Sequence, residues 1–213
     1  MNEYLAPSQY FDFDHPDVRA LAVQFTNNDP KQKAIDMYYW VRDEIRYNPY
    51  LVVEGADSFK ASYCLQDSEG YCITKASLLI ALCRFHGIPA RIGLCDVKNH
   101  LSNDRLSRLI GSNVFPMHAY ADLYLNGKWV KATPAFNVSL CEKFGTAALE
   151  FDGEQDAIFQ AFTPDGRAHM EYVKDHGTFA DMPVAFMLAY LESCCPGLFG
   201  SQAILGQALE LEK

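Results

Sequence analysis

The dipeptide Asn126-Gly127 sits between two alternating stretches, 118–125 and 128–133, and restricts the fold of this 213-residue chain more tightly than any other feature. Asn-Gly is a strong hairpin signal. Both central residues of the favoured two-residue turn need positive φ, which Asn and Gly adopt at low cost. Such a turn sets the register: residue 124 faces 129, 122 faces 131, and 120 faces 133. Cross-strand partners project to the same side. One face is then apolar, carrying Ala119, Ala121, Leu123, Val130 and Ala132. The other carries His118, Tyr120, Asp122, Tyr124, Trp129, Lys131 and Thr133. On this richer face Asp122 is expected to pair with Lys131. Tyr120 and Trp129 are candidates to line a cleft, although cross-strand aromatics often simply pack.

The second strong element is a helix over 72–86. Gly70 precedes it, and Ala76, Leu79, Ile80 and Cys83 mark its inner face. Gly87 suits a left-handed cap, and Pro89 blocks continuation. A short strand is expected over 90–95. Upstream, Asp14 and Pro16 open a helix with Val18, Leu21, Ala22 and Phe25 on one stripe. Asp29-Pro30 opens another, with Ala34, Tyr38, Val41 and Ile45 at helical spacing, ending before Asn48-Pro49. Residues 50–70 read as irregular. No strand is expected over 96–117, only a helical turn or two at 104–110. Helices are predicted over 185–192 and 201–211, and turns at 151–153, 165–167 and 175–177.

Hydrophobic residues are 49% and charged residues 21%, as in ordinary globular domains, which argues against disorder. The net charge of -9 disfavours non-specific binding to nucleic acid or anionic membrane. The start, Met1 to Pro7, lacks a basic segment followed by an apolar run, and no stretch approaches roughly 18 apolar residues. The expectation is a cytoplasmic protein. Seven cysteines, an odd number at irregular spacing, read as reduced thiols. Cys194-Cys195 read as two partly buried thiols. Neither the pair Cys83 and His86 nor the scattered carboxylates form a metal motif. No metal and no cofactor is expected.

Cys72 sits where chemistry is possible. Unpaired N–H groups and the dipole at a helix N-terminus stabilise a thiolate, so Cys72 is expected to be the most reactive of the seven. Small Gly70 would let a substrate carbonyl approach the Cys72 N–H, one oxyanion donor. The Gln66 side chain is a candidate second donor, although a solvated loop position explains it more readily. His118 begins the hairpin and is the candidate base. Thr133 is its diagonal neighbour, where a residue orienting an imidazole would sit. Free Cys is among the most buried residue types, so neither residue defines a site alone.

Together these blocks carry a resemblance. Gly70-Tyr71-Cys72 running into Ala81-Leu82-Cys83-Arg84-Phe85-His86-Gly87-Ile88-Pro89-Ala90-Arg91 resembles the nucleophile helix of the transglutaminase-like superfamily. His118-Ala119-Tyr120 through Trp129-Val130-Lys131-Ala132-Thr133-Pro134 resembles its His hairpin, and Tyr39-Trp40-Val41-Arg42 with Ile45-Arg46-Tyr47 its preceding helix. The resemblance covers about residues 15–137. It implies an α+β, papain-like core in a single domain over 1–213, with 138–213 an extension packing on that core. It implies acyl transfer from an amide through a thioester, with Cys72 attacking and His118 moving the proton. Tyr71, Tyr120 and Trp129 are then candidates for the substrate cleft.

This chain departs from the family at one point. Thr133 stands where Asp is usual, and a hydroxyl has no charge to stabilise an imidazolium. Thr133 and Asn137, which share strand parity, are equal candidates to orient His118. The expected reaction is hydrolysis of a peptide or amide bond, ahead of transamidation. The alternative is a catalytically degraded module that binds a peptide or protein partner. Nothing in the sequence assigns an oligomeric state.

Overall fold

The computed structural model describes residues 1–53, 56–100, 111–159, 165–166 and 169–195. Its axis is helix α4 (Cys72–Phe85), reached through α1 (Pro16–Ala22), α2 (Pro30–Glu44), β1 (Arg46–Tyr47), α3 (Ala61–Asp67) and β2 (Glu69–Gly70). Beyond it come β3 (Ala90–Asn99), β4 (Val114–Leu125), β5 (Lys128–Ala132), α5 (Val138–Phe144), β6 (Met170–Phe179) and α6 (Val184–Cys194). The large sheet has the order β5-β4-β3-β6 with antiparallel neighbours, and β1 pairs with β2 in parallel.

The hairpin register holds, with Tyr124 opposite Trp129 and Asp122 opposite Lys131. Asn126 and Gly127 both have positive φ, as the turn demands. The last registered pair is Ala121 with Ala132, so Thr133 lies just beyond the ladder. The apolar face of the hairpin is buried in the main core. Against it packs α4, buried continuously from Ile73 to Arg84 rather than on one stripe. Its polar residues therefore need internal partners. The Lys75 Nζ donates to the carbonyls of Arg42, Ile45 and Ala135 at 2.9, 2.6 and 2.7 Å. The Arg84 guanidinium donates to the carbonyls of Ala90 and Ala6 at 2.9 and 2.8 Å, and to that of Ala180.

Four local expectations are corrected. First, α1 is capped by the ring of His15, which accepts the Asp17 N–H, rather than by Asp14. Second, residues 61–67 form α3, in a stretch read as irregular. Its start is capped from far away, with the Ser62 N–H donating to Asp12 and the Ala61 N–H to the Tyr10 carbonyl. Third, strands extend into 96–117. Cys95 faces His118 and Val97 faces Phe115, so Asp96 opposes both Pro116 and Met117 in a bulge. Pro116 is tolerated there because a bulge releases it from the ladder. Fourth, Asp175-His176-Gly177 is no turn between elements but lies inside β6, where pairing with β3 shifts and Gly177 takes positive φ.

Helix α6 covers the predicted 185–192, while 104–110 and 201–211 lie outside the described residues. All seven cysteines are free, and the sulfurs of Cys194 and Cys195 stand 3.7 Å apart.

Candidate active site

Tyr71 is the N-cap of α4, and its N–H donates to the Thr74 side chain at 3.0 Å. Helix geometry then leaves the next amides without intrahelical acceptors. The backbone amides of Ala119 in β4, Ile73 and Cys72 itself lower the Cys72 pKa. These three amides favour the thiolate, but burial outweighs them and pushes the thiol up to about 11. Helix-terminal activation, expected from position, is therefore overridden in this state. Gly70 has a different role from the expected substrate approach. A Cβ there would lie 2.6 Å from Thr74 Oγ1 and 2.9 Å from the Cys64 sulfur, so a glycine is needed to close the turn into α4.

Ala119, whose amide favours the Cys72 thiolate, directly follows His118 in β4. His118 is 7% exposed. Burial pushes its ring down to about 4, against the pull of the Ile158 backbone carbonyl. Ile158 comes from a segment along β5, where the Thr133 N–H donates to the Ala157 carbonyl and the Ala157 N–H to that of Lys131, both at 2.8 Å. Thr133 is 3% exposed. It lines a cavity of about 10 Å³ with His118, Ala135, Phe136, Leu149 and Ile158 among its walls. His118 and Thr133 thus border one cavity beside the point where β5 stops, while Cys72 opens α4.

Other expected site residues lie elsewhere. Asn137 does not orient His118. Its amide donates to the carbonyls of Ile45 at 2.8 Å and of Arg42, and its oxygen accepts the Tyr47 N–H at 2.7 Å. It brackets the end of α2 to β1. Gln66 is exposed and donates to Asp17 at 2.8 Å, so its amide is held on α1 rather than at an oxyanion. Trp129 packs between Tyr4 and Tyr124, with the Arg91 guanidinium 3.9 Å over its ring. Asp122 accepts from Arg91 at 2.8 Å, which replaces Lys131 as its partner. Tyr120 is 1% exposed and covers Gly93, where a Cβ would lie 2.1 Å from its ring. Tyr71 is 4% exposed and joins the core. None of these three aromatics borders the His118 cavity.

Sequence reasoning missed Ile158 and Lys75. Ile158 carries no local signal. Lys75 does: a lysine inside an apolar helix, one turn after Cys72, must find acceptors. Among the described residues, no three His, Cys, Asp or Glu side chains group to hold a metal ion. No helix among them is long and apolar enough to cross a membrane.

A buried helix opening with cysteine, packed on an antiparallel sheet whose hairpin carries a histidine, defines the papain-like α+β class. The chain belongs to the transglutaminase-like superfamily, whose family model matches residues 19–134, more than half its length. Its fold is similar to that of a candidate cysteine protease from Cytophaga hutchinsonii, with a TM-score of 0.53 and 20% identity. That match covers 86% of this chain and 48% of the other, so this chain spans about half of that protein. A candidate protease from Parabacteroides distasonis gives a TM-score of 0.39 at 14% identity, covering 55% of this chain and 23% of its own. No curated protein matches the chain.

Proposed function

We propose that this domain transfers the acyl group of a peptide or amide to Cys72 and releases it by hydrolysis. One observation carries the reading: the backbone amides that favour a Cys72 thiolate include that of Ala119, the residue next to His118. In this reading the sulfur attacks the carbonyl carbon while His118 takes the thiol proton. The C–N bond then breaks and His118 returns the proton to the leaving amine. Water adds to the thioester with His118 again as base, the C–S bond breaks, and the thiol is restored. The Cys72 N–H is the natural donor to the transient oxyanion. A thiol pushed up to about 11 and an imidazole pushed down to about 4 are both neutral near pH 7. His118 therefore works as a general base during attack rather than from a standing ion pair. Transamidation shares the first half-reaction and differs only in the acceptor.

A second reading is favoured by Thr133. With Thr133 where the family usually has Asp, the same cleft would serve to bind a peptide. Wild type and Cys72→Ala separate the two when incubated with a fluorogenic peptide-amide set, followed by intact mass for an acyl adduct. The enzyme reading expects turnover and an adduct in wild type only. Equal turnover in Cys72→Ala rejects the mechanism. Peptide binding without turnover, unchanged in Cys72→Ala, supports the module.

A further inference from the structure

Met117, immediately before His118, has a φ of 57° in the middle of β4 and is 1% exposed. Ser68 and Asn126, the other described non-glycine residues with positive φ, sit at a helix end and a hairpin turn, where such conformations are common. A buried methionine in mid-strand is different. The left-handed region is costly for a residue with a Cβ and persists only where the surroundings impose it.

The surroundings that impose it are visible. Asp96, 5% exposed, stands opposite Pro116 and Met117 in the bulge. Its Oδ1 accepts the Met117 N–H at 3.1 Å and the His176 Nε2 at 2.8 Å. Its Oδ2 accepts the Tyr190 hydroxyl at 2.6 Å. His176 occupies a second bulge, on β6, between the pairs Leu94 with Gly177 and Cys95 with Asp175. The His176 ring lies 4.6 Å from that of Tyr190 and 5.8 Å from that of Phe186. Two bulges on opposite sides of β3 thus converge on one carboxylate. The Tyr190 hydroxyl is pushed up to about 12 by its bond to Asp96, so it remains a donor.

We propose that Asp96, held by His176 and Tyr190, is a positioning residue that locks the Met117 bulge and so aims His118 toward Cys72. The inference rests on the reading of His118 as the base. It adds that β6 and α6, both outside the stretch matched by the family model, complete the site. Asp96 touches no reacting atom. It acts through one backbone N–H, and the bulge converts that bond into a direction for the next side chain.

The test uses Tyr190→Phe, Asp96→Ala, Met117→Gly and the double variant Asp96→Ala/Met117→Gly. Two readouts are followed: the ring NMR signals of His118, assigned with His118→Gln, and the rate of Cys72 alkylation by iodoacetamide at fixed pH, read by peptide mass spectrometry. Circular dichroism and the unfolding midpoint confirm folding. Expected is a shift of the His118 ring signals in Tyr190→Phe and Asp96→Ala, with loss of the part of the alkylation rate that His118→Ala also removes. Because glycine adopts the left-handed conformation at little cost, Met117→Gly should restore both readouts in the Asp96→Ala background. The mild Tyr190→Phe change keeps the test open if Asp96→Ala does not fold. Unmoved His118 signals in a folded Tyr190→Phe protein overturn the positioning role. Equal Cys72 alkylation in wild type and His118→Ala instead rejects His118 as base. The ring signals still decide whether Asp96 sets its position.

Discussion

His118 and Thr133 border the same cavity of about 10 Å³, and among the described residues neither the His118 Nε2 nor the Thr133 Oγ1 has a hydrogen-bond partner. That volume is close to the room one water needs. Thr133 lines this cavity, whereas Asn137 does not. Replacing Thr133 with Asp changes little volume and adds a charge beside the ring. A nearby carboxylate favours the imidazolium, so the His118 pKa should rise from about 4. Amidase activity should be kept or increased, with its acid limb moved to higher pH. A pH–rate profile and NMR titration of the ring check this, and a folded but inactive variant would remove Thr133 from the orienting position.

The Cys72 thiol, pushed up to about 11 by burial, is almost wholly protonated at pH 7. Iodoacetamide should therefore label Cys72 slowly at neutral pH, and exposed Cys194 sooner. The Cys72 rate should climb about tenfold per pH unit as the thiolate grows in. Peptide mapping after timed alkylation measures this. A rate already level at pH 7 would mean that the amides around the sulfur win over burial.

Burial holds the folded His118 at about 4, below the ordinary 6.5. Between those values the unfolded chain binds the proton and the folded chain does not. Stability contributed by this residue is therefore present above pH 6.5 and is lost as pH falls toward 4. The difference amounts to at most about 3 kcal/mol. Urea unfolding at pH 7 and pH 4.5 should show a smaller acid loss in His118→Gln than in wild type. Equal losses would show that the ring is solvated in the folded protein.

Asn137→Ala should affect stability rather than chemistry. It removes one of two donors to the Arg42 and Ile45 carbonyls, which keep the Lys75 Nζ, and the acceptor of the Tyr47 N–H. The expected cost is about 3 kcal/mol by chemical denaturation. Activity per folded molecule should stay unchanged. A selective loss of turnover at unchanged stability would return Asn137 to the site.

Local chemistry in the sequence determined the hairpin, its register, the helix that opens with Cys72, and the apolar face between them. Each depends on nearby residues: positive φ at Asn126-Gly127, strand alternation, and the Gly and Pro that stop a helix. The tertiary structure alone decided which of Thr133 and Asn137 borders the His118 cavity, although both share one parity. The chain turns after β5, and Asn137 meets α2 across 95 residues. It also decided that α3 is a helix, since Asp12 caps it from 50 residues away, and that Asp175-His176-Gly177 is a bulge rather than a turn. The charge states of Cys72 and His118 were likewise out of reach. Burial sets them, and burial is a property of the assembled layers, to which residues as distant as Ile158 contribute.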